Sequence, residues 1–247
     1  MASFADHFSA VAAQYAAYRP RYPAALIDAL AERADTGGIA WDVGCGNGQL
    51  SVALAERFRR VIATDPAQSQ LDEAVAHPRV EYRCVPAEES GLPDASAALV
   101  VAAQAAHWFD WPRFLAEAGR VAAPGALVAL VSYGSLIAGG EAGEVIARYH
   151  RDVAGPYWPA NRRHVEDGYR ELVMPWPAVE APAIDMTASW TRDEVIGYVS
   201  SWSATARLVE REGPGPFEAL GAALAAVWPD GEQRVVRWPL TIRLARR

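Results

Sequence analysis

The chain has 247 residues, 51% of them apolar and 21% charged, enough to bury a full hydrophobic core and unlike the composition of a disordered segment. Its formal net charge is −7 and every basic residue is an arginine, scattered rather than clustered, so no electrostatic footprint for nucleic acid is present. Cys45, Cys84 and the five histidines show neither a disulfide framework nor close metal-ligand spacing, and without a bilayer-length apolar run or a signal-like start the expected place is the cytoplasm.

In chain order, Pro23 suits the first turn of a helix carrying Leu26, Ile27 and Leu30, which Gly37-Gly38 ends. Residues 39–43 are a short apolar run stopped by a glycine-rich turn. A helix with Leu50, Ala53, Leu54 and Phe58 on one face follows. Residues 61–65 read as the second strand, and Pro66 opens a helix expected to hold Leu71 and Val75. Residues 80–85 make a third strand. The unbroken apolar run 97–103 fits a central strand buried on both faces. A helix begins near Pro112, and Pro124-Gly125 turns the chain into a strand over 126–131. This alternation predicts an α/β fold, a doubly wound and mostly parallel sheet.

The second half changes character. Residues 139–182 are rich in Pro, Trp, Tyr and Arg, with one helix expected over 141–153, and read as a helical, substrate-selecting lid inserted into a core of 1–138 plus 183–247. Thr191 with Glu194 forms a capping-box pattern for a helix running through Val195, Val199 and Trp202. Another helix spans 217–227, and 234–244 alternates as an antiparallel C-terminal strand.

The segment Asp42-Val43-Gly44-Cys45-Gly46-Asn47-Gly48 carries the chemistry. Its glycines permit a tight turn and close approach of a ligand to the backbone. A dinucleotide fingerprint wants a further glycine where Gln49 stands, and a P-loop wants a lysine, which the chain lacks. Asp42 would repel a pyrophosphate but suits a ligand bearing ammonium and sulfonium charges. Asp65, ending the second strand, falls within reach of a ribose over that loop, or else simply caps the helix after it. Ala87-Glu88 falls where an adenine edge would lie, unless Glu88 is a solvated loop charge.

These segments, with Ala63-Thr64-Asp65, Ala87-Glu88-Glu89, the run from Ala103 to Asp110 and Arg120-Val121-Ala122-Ala123-Pro124-Gly125, resemble the ordered motifs of class I S-adenosylmethionine-dependent methyltransferases. More narrowly they are similar to the type 11 group near trans-aconitate methyltransferases. The resemblance implies that S-adenosylmethionine is the cofactor and S-adenosylhomocysteine the product. It implies Gly44, Gly46 and Gly48, with Cys45 and Asn47 between them, near the methionine and ribose portions, Asp65 on the ribose, and Ala87 and Glu88 at the adenine. Many members carry Asp where this chain has Pro86, so the adenine contact must come from backbone groups or Glu88.

On the acceptor side, residues 104–110 follow the fourth strand. Gln104 is expected on the cofactor, and His107 is either a general base or, with Trp108, one wall of the pocket. Tyr18 and Arg19, in an N-terminal stretch with two arginines and three tyrosines, are expected at the cofactor, where they can cover the site and clamp an anionic acceptor, or else the stretch is a surface lead-in whose tyrosines pack on the sheet. Tyr133, Trp158 and Trp202 are the remaining substrate-side candidates. The expected activity is methyl transfer to a small molecule, with carboxyl O-methylation leading. The rivals are a non-catalytic cofactor-binding regulator or scaffold, and an NAD-dependent oxidoreductase, against which Gln49 and Asp42 speak.

Overall fold

The computed structural model describes residues 20–247. Its first half is the expected alternation: α1 (Ala24–Ala31), β1 (Ile39–Val43), α2 (Gln49–Ala55), β2 (Arg60–Thr64), α3 (Gln68–Leu71), β3 (Val80–Arg83), β4 (Ala97–Ala103), α4 (Trp111–Val121) and β5 (Ala122–Tyr133). The first five strands are parallel, because each returns through a crossover on one face or the other. β4, read from its unbroken apolar run, lies between β1 and β5, and its residues Leu99 to Ala102 are fully buried. Helix α3 is only one turn long, and Val75 is 61% exposed instead of packed on a helix face. The Pro78 that follows disfavours helical backbone before it.

The second half adds β6 (Ile137–Ala138), α5 (Gly140–Arg148), a π-helical turn over Tyr149–Val153, α6 (Arg163–Glu166), β7 (Ala178–Val179), β8 (Met186–Trp190), α7 (Arg192–Ser200), α8 (Ser203–Glu212), α9 (Gly215–Val227), β9 (Arg234–Trp238) and β10 (Leu240–Arg246). The C-terminal strand is split in two. β10 runs antiparallel to β5 and completes a large sheet of order β3-β2-β1-β4-β5-β10-β7, whereas β9 lies between β6 and β8 in a separate antiparallel sheet. Pro239 stands between them, and a residue with no N–H to give a ladder is a natural break. The Thr191–Glu194 capping box forms, but its helix stops at Ser200, and Trp202 precedes the next one.

Apolar packing divides into clusters on the two faces of the large sheet and a third built on the small sheet. The third joins Tyr133, Ile146, Tyr149 and Ala154 to Val195, Trp202, Leu224, Trp228 and Trp238. The span 139–182 is shared. Its first part packs in this third cluster, while Val165, Tyr169 and Leu172 pack against Trp41, Val100 and Phe114 under the large sheet, and β7 edges that sheet.

Beneath β1, the fully buried Trp41 donates its indole N–H to Thr64 Oγ1 at 3.0 Å, tying the ends of β1 and β2 together. Thr64→Val keeps the shape but leaves that donor unpaired, so urea unfolding should show a loss of about 1–3 kcal/mol. A change of only a few tenths would mean the bond contributes nothing.

Candidate functional site

The glycine turn leaves β1 with three residues in left-handed backbone: Gly44, Gly46 and Gly48 have φ of 69°, 55° and 80°. Glycine is needed at Gly44 on two counts, since a Cβ there would also stand 2.5 Å from that of Ala105. The turn is fixed from the neighbouring strand. Gly44 and Cys45 both donate their N–H to Thr64 O, at 2.8 and 3.0 Å, and Gly46 N–H donates to Asp65 Oδ2 at 2.9 Å. The other Asp65 oxygen accepts from Ala67 N–H at 2.9 Å. Asp65 therefore both braces the loop and caps the turn after it, with lone pairs left for a ligand.

Above this turn, at the carboxyl ends of the parallel strands, lies a cavity of about 330 Å³. Of the sequence candidates, the structure brings Asp42, Gly44, Cys45, Gly46, Asn47, Asp65, Ala87, Glu88, Gln104, Trp108 and Tyr133 to its wall. Gly48 stands behind the wall, packed on Tyr82. His107, Trp158 and Trp202 are also outside the lining, and Tyr18 and Arg19 lie outside the described residues. Pattern reading missed Leu50, Gln70, Ala105 and Phe109 on the wall; nothing in their spacing marks them.

Asp42 is buried at the cavity floor and accepts Ser51 Oγ–H at 2.6 Å. Burial, with a smaller push from the Asp65 charge, raises its carboxyl to about 7 despite the Ser51 hydrogen bond. Burial likewise raises Asp65, against its two backbone N–H bonds. Burial and these two carboxylates push the Cys45 thiol up, so it stays protonated and is no nucleophile. Glu88 accepts Asp110 N–H at 2.8 Å and so joins the third strand's loop to the start of α4.

Gln104 ends β4 in left-handed backbone, φ 55°, which is uncommon for a residue with a side chain. Its Nε2 donates to Tyr133 O at 2.8 Å, while its Oε1 is buried without a protein partner. Gln70 Nε2 is a second such atom. The wall thus carries three carboxylates, one orphaned acceptor and one orphaned donor among apolar and backbone surface. An amino-acid ammonium beside Asp42 or Gln104, ribose hydroxyls on Asp65 and a purine among Pro66, Ala87 and Phe109 fit this donor and acceptor set.

His107 Nδ1 stands 2.9 Å from the hydroxyl of the fully buried Tyr169, and Asn161 Nδ2 donates to His107 O at 3.0 Å. The imidazole is thus engaged by the 158–169 segment while its neighbour Trp108 reaches the cavity. Among the described residues, His164, Asp167 and Glu171 bring ligand-capable atoms within 4.8 Å of one another, a grouping that a scan of Cys and His alone does not find. It lies off the cavity wall, and Arg163 and the Arg170 N–H already engage Glu171 and Asp167.

Residues 41–130 match the family model for a methyltransferase domain. A Dictyostelium discoideum protein named as a methyltransferase is 32% identical over 211 residues, covering 84% of this chain and 80% of its own length. The chain belongs to the class I methyltransferases. S-adenosylmethionine is accordingly its cofactor, and the expected fold and enzyme class both hold. A solved structure from Anaeromyxobacter dehalogenans, described as a type II methyltransferase, is 45% identical and superposes at a TM-score of 0.87 over 93% of this chain and 98% of its own. A methyltransferase structure from Anabaena variabilis, 22% identical, shares the fold at a TM-score of 0.60.

The elevated Asp42 carboxyl has a consequence for stability. With a pKa near 7 folded and near 3.8 unfolded, the folded chain holds the extra proton between those values. Its stabilising effect is complete below the unfolded value and is lost as pH rises through 7. Ligand-free protein should lose stability on the order of about 2 kcal/mol between pH 5 and 7.5 from this group. Asp42→Asn, which can still accept from Ser51, should flatten that decline in urea unfolding at the two pH values. An unchanged slope in the variant would remove Asp42 as its source.

Proposed function

We propose that the chain transfers a methyl group to a carboxylate oxygen of a small-molecule acceptor. The observation that carries this reading is the cavity wall itself: among its described residues there is no His or Lys. Asp42, Asp65 and Glu88 each accept hydrogen bonds from Ser51 or from loop N–H groups, which commits them to holding structure and cofactor. A hydroxyl or amine acceptor needs a base at neutral pH, whereas a carboxylate arrives already deprotonated. The motif resemblance to the group near trans-aconitate methyltransferases points the same way. So does a stretch of 92 residues 37% identical to the malonyl-[acyl-carrier protein] O-methyltransferase of Serratia marcescens, about a third of either chain. The net charge of −7 and the scattered arginines weigh against a polyanionic acceptor. The free thiols of Cys45 and Cys84 suit the cytoplasm.

The cofactor supplies an activated methyl on a sulfonium sulfur, and the chain's own contribution is binding and placement. Asp42 and the Gln104 Oε1 hold the amino-acid end, Asp65 the ribose, and the backbone at Ala87 with Glu88 the adenine edge. The wall of Trp108, Phe109 and Tyr133 shapes the space in front of the methyl and keeps water out. Placing an oxygen in line supplies rate without proton transfer. His107 acts as a positioning residue, holding Trp108 through its bond to Tyr169. Residues 137–158 together with 186–238 form the lid over this space.

S-adenosylmethionine mixed with carboxylic acids should release S-adenosylhomocysteine and give methyl esters that mild base hydrolyses; turnover of amines or phenols but no acid would overturn the reading. Asp65→Ala should weaken S-adenosylhomocysteine binding at least tenfold, about 1.4 kcal/mol, by calorimetry. Wild-type affinity in that variant would remove Asp65 from the cofactor site.

A further inference from the structure

Between the cavity wall and the lid, one short segment holds buried polar atoms that no protein group satisfies. Trp158 Nε1 and Arg162 Nε are both donors of this kind. They belong to one unit, since the Arg162 guanidinium carbon stands 4.6 Å from the Trp158 ring centroid. The next two residues, Arg163 and His164, both reach Glu171, yet Arg162 has no carboxylate within ion-pair distance among the described residues. A buried donor left unpaired loses its hydration without gaining a partner, which is unfavourable. Two of them beside an uncompensated cation mark a place where an anion is to be received.

Two chains of contacts link the unit to the cavity wall. Asn161, next to Arg162, binds the main chain of His107, whose neighbour Trp108 lines the cavity. Trp158 packs on His150 with ring centroids 5.3 Å apart, and His150 Nε2 is 2.8 Å from Ser135 Oγ, two residues beyond the cavity-lining Tyr133. Burial, and then the Arg162 charge, hold the His150 imidazole down to about 4; the same charge opposes the upward push of burial on the Tyr169 phenol. Through these contacts Arg162 is tied to the loops that follow both β4 and β5, and its charge reaches both His150 and Tyr169.

We propose that Arg162 and the Trp158 indole N–H form an anion subsite that grips a carboxylate of the acceptor. The proposal rests on the methyl-transfer reading above and names the acceptor side of the same site. A single guanidinium with one indole donor matches a planar monoanion better than a doubly charged phosphate. The rings of Trp158, Trp202 and His150, mutually 5.3 to 5.5 Å apart, offer an apolar face to the body of the acid beside its charged end.

The test is ligand-observed NMR titration of the S-adenosylhomocysteine-bound chain with benzoate, phenylacetate and hexanoate, each against its amide. At least one acid should bind, its amide at least tenfold more weakly. Arg162→Gln should weaken that acid tenfold or more, and Trp158→Phe, which keeps a ring but removes the donor, about threefold. Calorimetric binding of S-adenosylhomocysteine should stay within twofold in both variants, which also shows that they fold. If no acid outbinds its amide, or if either variant folds and binds the acid as wild type does, the subsite is overturned while the methyltransferase reading stands. Wild-type chain that fails to bind S-adenosylhomocysteine overturns both.

Discussion

The end of β2 holds the site together. One carbonyl, Thr64 O, takes two N–H groups of the glycine turn and the adjoining carboxylate, Asp65, takes a third. A turn that places three successive glycines in left-handed backbone has little intrinsic preference for one shape. These three bonds choose the shape, and the buried Trp41–Thr64 contact keeps the two strand ends in register while they do so. The position of Asp42 at the cavity floor, the start of α2 and the opening of the cavity between Gly46 and Gln70 all depend on that choice.

A second set of ties joins the neighbouring strands on the other side. Gln104 leaves β4 and donates its side-chain N–H to the carbonyl of Tyr133 at the end of β5, so the loops that follow the two strands are tied together. Tyr133 also belongs to the apolar cluster of the small sheet, so the cavity wall and that cluster meet at this residue. His107, Tyr169, Asn161 and Arg162 continue the chain of contacts toward Trp158. Few of these groups are strong individually. Together they hold Gln104 and the 158–169 segment, where the orphaned atoms lie, in fixed positions.

Much of this was legible because it is encoded locally. Glycines at Gly44, Gly46 and Gly48 and an aspartate after the next strand specify a backbone shape and a partner 19 residues on, and the continuous apolar run of β4 specifies burial. The Thr191 capping box is equally local and formed as written. One departure was legible too: Pro239 interrupts the final ladder, whereas Pro78 restricts only His77 before it and leaves the end of α3 at Leu71 to the surrounding packing. What could not be read are contacts across long separations, such as Gln104 with Tyr133 or His107 with Tyr169, 62 residues apart. No periodicity carries that information, because it resides in how the layers meet. The sharing of 139–182 between two clusters has the same origin, since a composition rich in Trp and Pro does not say which face it will cover.

Pro239 has one further consequence. The chain leaves β5 for the small sheet at Gly134 and returns from that sheet to β10 at Pro239, and Gly134 N–H donates to Pro239 O at 2.9 Å. Exit and return are thus clasped side by side at the edge of the large sheet, with no slack in either. The chain also crosses back to the large sheet through β7 before it re-enters the small one, so the two sheets are pinned at two separated points, like plates held by two rivets, and one rivet sits beside the cavity-lining Tyr133.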